Sequence, residues 1–352
     1  MKIMKKELVR ILGKMKGIVQ KNEAFPAVAG VLVSDGYFIG TNLEIAVKVR
    51  SEDAKGEKFL IPMEAFDLIN NLPDEDVEIK ADDKSISIKT SAIRNKFLTH
   101  DPEGFSVMNM GEMVNILEVD GLQLTDAINS VIFAAADSGK IKGIHMAQKG
   151  DKYIVEASDG HVLARSTVNI QGEGMDVIIP KTAAKKILSV GLYGKVKIAF
   201  GKMGIQFATE SCTIASQLYA GRYPDLDRIM NAEASIEIGA RRKDVHEAIV
   251  RANACITSQE KIPVKLDLAG ETLTISIADS GSQFVEELPI EHNGADALTI
   301  GFDSKLCMGA LKAFNDEKIT MGFLGKNMPS IWSSENTEMK AAILPINIGG
   351  GK

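Results

Sequence analysis

Three stretches of this chain follow one plan: an apolar strand, a break, a short amphipathic helix, a turn and a second strand. They are residues 59–81 (FLIPMEAFDLINNLPDEDVEIKA), 177–200 (VIIPKTAAKKILSVGLYGKVKIAF) and 298–323 (LTIGFDSKLCMGALKAFNDEKITMGF). The break falls at Pro62, Pro180 and Gly301, so the plan recurs about every 120 residues, a domain length well beyond the roughly 20–50 residues of a solenoid repeat. Solenoid repeats lean on their neighbours for a core, whereas units of this size can each bury their own. Tandem triplication of one fold is the constraint.

The flanking sequence repeats in the same order. Residues 1–4 predict a strand, and residues 5–19 place Leu8, Ile11, Leu12, Met15, Ile18 and Val19 at helical spacing. Residues 30–51 alternate apolar and polar side chains across turns at Ser34-Asp35-Gly36 and Gly40-Thr41-Asn42, the pattern of antiparallel strands. Strands at 85–88 and 93–99 follow the first copy. The second unit reopens with a strand at 116–119 and a helix at 122–135, closes with strands at 196–200 and 204–208, and leads out through 216–230. The third has a strand at 235–238, a helix at 242–254, and a last strand at 341–348. The expected fold is α+β, each unit carrying two helices packed on antiparallel sheet. Its domains are 1–111, 112–231 and 232–348, with a flexible Gly-rich tail at 349–352.

With 45% apolar and 25% charged residues, 352 residues suit a soluble protein of two or three domains. Cys212, Cys255 and Cys307 lie far apart without CxxC or Cys/His spacing, which argues against disulfides and zinc, and no cofactor is expected. No apolar run reaches the roughly 18 residues that cross a membrane, and the lysine-rich start lacks the apolar core of a signal peptide. A cytoplasmic location and no membrane partner are expected.

A net charge of −6 argues against a polyanionic partner only if it is evenly spread. The helical segments are instead net positive, through Lys5, Lys6, Arg10, Lys14, Lys16 and Lys21, through Lys181, Lys185 and Lys186, and through Arg241, Arg242, Lys243 and Arg251, although two of the six are net negative. Lys6, Arg10, Lys14 and Lys21 form one stripe roughly opposite the apolar face of their helix. A basic layer on an acidic body can hold a polyanion, because screening makes the field local, within about 8–10 Å. No helix-turn-helix is visible and aromatics make up 5%, so contacts should go to phosphates without sequence preference.

Three motifs add a family resemblance. Residues 157–164 (ASDGHVLA) are similar to a T-D-G-H-R-L-A run, residues 221–229 (GRYPDLDRI) to a G-R-F-P-D-Y-R-R-V linker, and residues 344–348 (LPINI) to an M-P-M-R-L terminus. These belong to the bacterial sliding clamp, the beta subunit of DNA polymerase III, and the resemblance spans residues 1–348. It implies three tandem DNA-clamp domains and a head-to-tail dimeric ring around double-stranded DNA, the two chains meeting through a heterologous contact that must close. It implies no catalytic and no metal-binding residues. The partners it implies are a second copy of the chain, the DNA polymerase III catalytic subunit, the clamp loader and other proteins carrying a clamp-binding motif.

Carried onto this sequence, the resemblance places DNA against Arg10, Lys14, Lys21, Asn22, Lys140, Lys181, Lys185, Lys186, Arg242 and Arg251. A groove for short peptide motifs falls on Ile141, Ser158, Gly160, His161, Leu163, Pro224, Arg228, Ile229, Ile262, Leu344, Pro345 and Ile346. Apolar walls there would bury anchors while a few polar groups fix the peptide backbone. The contact between chains falls on Arg94, Lys96 and Phe97 against Cys255, Ile256, Glu286 and Glu287. Val162, Asn347 and Asn22 stand where the family usually has arginine.

Two rival readings remain at this point. One is a peptide-binding scaffold that encircles no DNA. The other is a hydrolase using Asp159 and His161, with Ser158, as an acid/base set; residues i and i+2 share a strand face, but Ser158-Asp159-Gly160 also reads as a turn.

Overall fold

The structure, a computed structural model, describes residues 1–113, 115–139, 141–256, 262–279, 281–292 and 296–348. The first copy comprises β1 (Lys2–Met4), α1 (Lys5–Met15), β2 (Gly30–Ser34), β3 (Tyr37–Thr41), β4 (Ile45–Arg50), β5 (Lys58–Pro62), α2 (Phe66–Asn71), β6 (Asp76–Ala81), β7 (Ser85–Lys89) and β8 (Arg94–Leu98). The second comprises β9 (Asn115–Asp120), α3 (Gly121–Val131), β10 (Ile144–Lys149), β11 (Lys152–Ser158), β12 (Val162–Val168), β13 (Ile170–Gln171), β14 (Asp176–Ile179), α4 (Lys181–Val190), β15 (Lys195–Phe200), β16 (Gly204–Ala208) and β17 (Cys212–Gln217). After a short helix, α5 (Asp227–Met230), the third comprises β18 (Ile236–Arg241), α6 (Arg242–Ala254), β19 (Val264–Ala269), β20 (Thr272–Asp279), β21 (Ser282–Pro289), β22 (Glu291–His292), β23 (Leu298–Phe302), α7 (Ser304–Ala313), β24 (Lys318–Phe323), β25 (Ser330–Ser333) and β26 (Lys340–Ile343). Each copy thus runs strand, helix, three-stranded meander, strand, helix, three strands, with an additional two-residue strand (β13, β22) after the meander in the second and third.

Contacts group the described residues into two units that cut through the middle copy. In the unit built from 1–122, 170–173 and 185–219, α1 packs on α2, and the strands form a four-stranded sheet β1-β6-β7-β8 and a nine-stranded sheet β13-β9-β15-β16-β17-β4-β3-β2-β5. In the unit built from 123–169, 174–184 and 220–348, α6 packs on α7, and the sheets are β14-β10-β11-β12-β26-β25-β24-β18-β22 and β21-β20-β19-β23. All ladders are antiparallel. One copy is joined to the next inside a unit by strand pairing, β17 with β4 and β12 with β26.

The helices form where apolar spacing predicts them, with shifted ends. Leu8, Ile11, Leu12 and Met15 fill the buried face of α1, but the helix stops at Met15 rather than Val19 because Gly17 turns left-handed at φ +81°. Ile18 and Val19 stay buried, and Val19 and Met15 close onto β3 at Gly40, where an added Cβ would meet them at 3.0 and 3.1 Å. The helix expected over 122–135 ends at Val131 and tightens into a 3-10 turn over Ile132–Ala134. The lead-out expected over 216–230 contains helix α5, and an unforeseen strand, β17, runs into its start. The last strand is four residues long and stops at Ile343; beyond it Ile346 forms only an isolated bridge with Gly301.

Candidate peptide groove and nucleic-acid face

The tip of the β11–β12 hairpin is a side-chain-locked turn. The Ser158 hydroxyl donates to Val162 O at 2.8 Å and accepts the Gly160 N–H at 3.1 Å, while Asp159 Oδ1 accepts the N–H groups of His161 and Val162 at 2.8 and 2.9 Å. The backbone then receives β26, with Leu344 N–H donating to His161 O at 2.8 Å. The same constellation recurs in the first copy: Thr41 and Asn42 bond Ile45, Leu43 and Glu44 in the same pattern, and Gln217 N–H donates to Glu44 O at 2.9 Å. The left-handed residue is Leu43 there, at φ +72°, and Gly160 here, at φ +91°. With Asp159 committed to backbone N–H groups, the segment is a turn, and the acid/base arrangement of the hydrolase reading is not formed.

Beside this turn lies an apolar pocket of about 160 Å³, lined by Ile141, Ser158, Gly160, His161, Val162, Leu163, Leu226, Ile229, Pro329, Ala342 and Leu344. The structure therefore brings Ile141, Ser158, Gly160, His161, Leu163, Ile229 and Leu344 together as expected. Pro224, Arg228, Ile262, Pro345 and Ile346 do not line it; Ile346 is engaged with Gly301, its N–H donating to that carbonyl at 2.8 Å. Val162, where the family has arginine, faces the pocket as an apolar wall, and Leu226, Pro329 and Ala342 were not foreseen.

The expected DNA-facing cations are distributed unevenly. Lys140 lies outside the described residues. Lys21 and Lys185 are exposed, and Lys14 is partly exposed. Arg10 makes a bidentate pair with Glu7 at 2.7 and 2.6 Å, which holds that carboxylate below its ordinary range. Asn22 accepts the Phe25 N–H at 2.9 Å, stiffening the turn after α1. Lys181 donates to Ala135 O at 2.5 Å and lies 3.5 Å from Asp137. Arg242 caps the end of α7, donating to Leu311 O at 3.2 Å and to Asp316 O at 2.8 Å.

Lys186 departs from expectation outright. It is only 8% exposed, and its ammonium donates to Lys14 O at 3.2 Å and Lys16 O at 2.7 Å, closing the C-terminal carbonyls of α1, while burial pushes its pKa down. It stitches two helices rather than offering charge to solvent. Lys186→Met should therefore cost about 1–3 kcal/mol of stability, the worth of a charge-assisted bond, yet leave the salt dependence of DNA binding unchanged. Lys185→Glu should do the reverse; thermal melts and DNA-binding anisotropy at two salt concentrations separate the two.

The residues expected between chains sit on two free sheet edges. Arg94, Lys96 and Phe97 lie on β8, an outer strand of its sheet, and Glu286 and Glu287 lie on β21, an outer strand of another. Cys255 and Ile256 follow α6 beside β21, where the Ser282 hydroxyl donates to Cys255 O. Each edge exposes a large apolar side chain absent from the expected set: Leu98 is 82% exposed and Val285 54%. A cavity of about 500 Å³ lies against β8, walled by Leu60, Pro62, Phe97 and Leu98. Arg251, expected at DNA, is exposed and bonds Glu286 at 2.9 and 2.6 Å.

Among the described residues no helix is long and apolar enough to cross a membrane. The repeated strand–helix order, the two sheet edges and the groove define a protein of DNA-clamp architecture. Solved clamps share it: the sliding clamp of Pseudomonas aeruginosa bound to griselimycin superposes with a TM-score of 0.91 at 22% identity, and the DNA polymerase III beta subunit of Thermotoga maritima with 0.88 at 20%, each comparison covering 99% of both chains. The curated beta sliding clamp of P. aeruginosa is 23% identical over 98% of this chain and 99% of its own length. Residues 118–225 match the family model "DNA polymerase III beta subunit, central domain", and residues 227–347 match "DNA polymerase III beta subunit, C-terminal domain". The chain belongs to the DNA polymerase III beta subunit family.

Proposed function

We propose that two copies of this chain close head to tail into a sliding clamp, a non-catalytic processivity factor that encircles double-stranded DNA and tethers the replicative polymerase, the clamp loader and other motif-bearing proteins. Family membership across residues 118–347 is the observation that carries this reading. In it, residues 1–111, 112–231 and 232–348 are the three clamp domains, and the protein works in the cytoplasm. The β8 edge, with Arg94 and Lys96, meets the β21 edge, with Glu286 and Glu287, of the other copy, extending a sheet across the junction as exposed edges readily do. Lys14, Lys21 and Lys185 supply phosphate contacts weak enough to slide, and ring closure prevents escape. The apolar pocket beside Gly160 takes the anchor side chains of partner peptides, and griselimycin, bound in the P. aeruginosa clamp, is a ligand for it.

After loading by a clamp loader, the protein should stay on nicked circular DNA and be lost when the circle is cut. Retention on linear DNA with open ends would contradict a topological tether. Replacing Arg10, Lys14 and Lys185 together with Glu should weaken DNA association and make its salt dependence shallower, because each lost phosphate contact removes about 0.9 from the log–log salt slope. A scaffold that encircles no DNA would be indifferent to that change.

A further inference from the structure

The wall of the groove formed by Leu226 and Ile229 belongs to a segment tied down at two points. At one end the Tyr223 ring stacks on the His145 imidazole, with centroids 4.7 Å apart and planes inclined by 17°. At the other, Asp227 Oδ1 accepts from Arg165 Nη1 at 2.7 Å and from the Lys149 ammonium. Both ties run back to one carboxylate, Glu156, which is 1% exposed: Oε1 lies 2.8 Å from His145 Nδ1, and Oε2 accepts from Arg165 Nε at 2.8 Å.

His145 is bonded on both sides. Its Nε2 lies 2.8 Å from Asp176 Oδ1 on β14, while Nδ1 faces Glu156 on the neighbouring strand β11. A neutral imidazole has a single N–H, so one of these contacts would set a lone pair against a carboxylate oxygen; only the imidazolium satisfies both. The charges facing the ring agree. Glu156, Asp176 and Asp227 stand against Arg165 and Lys149, with exposed Asp225 at 3.7 Å from Lys149, so the set keeps a negative excess that a protonated ring reduces. Burial pushes the Tyr223 hydroxyl far above its ordinary range, so the stacked phenol stays neutral. An imidazolium on that face adds cation–π attraction to the stack.

We propose that His145 is a positioning residue of the groove: held by Glu156 and Asp176 and stacked on Tyr223, it fixes the segment that carries Leu226 and Ile229, so that occupancy of the groove and protonation of His145 are linked. This rests on the groove assigned above. Burial acts to lower the His145 pKa, but the bonds to Glu156 and then Asp176 outweigh it and the net direction is upward from the ordinary 6.5. The clamp on Tyr223 is therefore fully present below the ordinary value and is lost as pH rises through the raised one.

Griselimycin affinity measured calorimetrically on the whole protein from about pH 6 to about pH 9 tests the linkage, and the comparison with His145→Gln separates this ring from the other histidines, the cysteines and the α-amino group, which also change charge in that range. Wild type should bind about tenfold more weakly at the upper end, the change that accompanies a one-unit difference in pKa between free and bound states. His145→Gln should bind with no such slope. A flat wild-type profile, or an equal slope in His145→Gln, overturns the proposal. No binding at any pH overturns the groove assignment and the proposal with it. An NMR titration of the wild-type His145 ring needs neither ligand nor variant: deprotonation that leaves the Leu226 and Ile229 methyl resonances unmoved also refutes it.

Discussion

Leu98→Asp is expected to turn the two-chain ring into monomers without unfolding the chain. The side chain is 82% exposed in the isolated chain, so Asp there is simply solvated and the melting temperature should hold. In the proposed ring the same position meets β21 of the other copy, where Val285 is exposed and Glu286 and Glu287 already supply negative charge. Losing the burial of one leucine costs about 1.5–3 kcal/mol per contact before any charge repulsion. A head-to-tail dimer contains that contact twice, so the loss is about 3–6 kcal/mol, or roughly 10²–10⁴ in the dimer dissociation constant. Sedimentation equilibrium reads this directly. Val285→Asp should weaken the ring less than Val285→Lys, because across the junction Arg94 and Lys96 of β8 attract a carboxylate and repel an ammonium. A dimer of unchanged affinity in Leu98→Asp would place the junction elsewhere. Glu286 is a poorer target, since Arg251 of its own chain already holds it and removing it would also free that arginine.

The triplication was legible because it rests on periodicity, and periodicity reports which face of an element is buried. Strands β17 (CTIASQ) and β25 (SIWS) escaped because each is buried along nearly its whole length, which removes the alternation that marks a half-buried strand. The groove was half legible for a related reason. Ser158, Gly160, His161 and Leu163 lie on one hairpin whose turn chemistry is local, whereas Leu226, Pro329 and Ala342 reach the pocket from segments distant in sequence. Counting charge along helices found the basic ones but not which lysines face water. Ala183, Lys186 and Val190 stand at i, i+3 and i+7 on α4, and both apolar members are buried, so the spacing itself pointed Lys186 inward. The Arg242 cap and the Glu156 network had no sequence signal, since each depends on carbonyls or strands that only the fold brings near.

Leu344→Asp should abolish binding at the groove while leaving the ring and its DNA retention intact. Leu344 follows β26, its backbone fixed by the bond to His161 O, and the residue is 38% exposed where it lines the pocket. In the free protein an Asp there points to water and costs little. Once an apolar ligand covers the wall, the complex forfeits about 1.5–3 kcal/mol of leucine burial and must also dehydrate a carboxylate with no Lys or Arg among the pocket-lining residues to receive it. An affinity loss of at least about a hundredfold for griselimycin follows. Leu344→Met, which keeps volume and apolarity, should cost less than about tenfold, because flexible thioethers adapt to irregular pockets. Calorimetry on the two variants distinguishes the wall from a merely nearby surface: equal, small losses in both would mean that the ligand anchors elsewhere, and dissociation of the ring in Leu344→Asp would mean that the residue supports the fold rather than the partner.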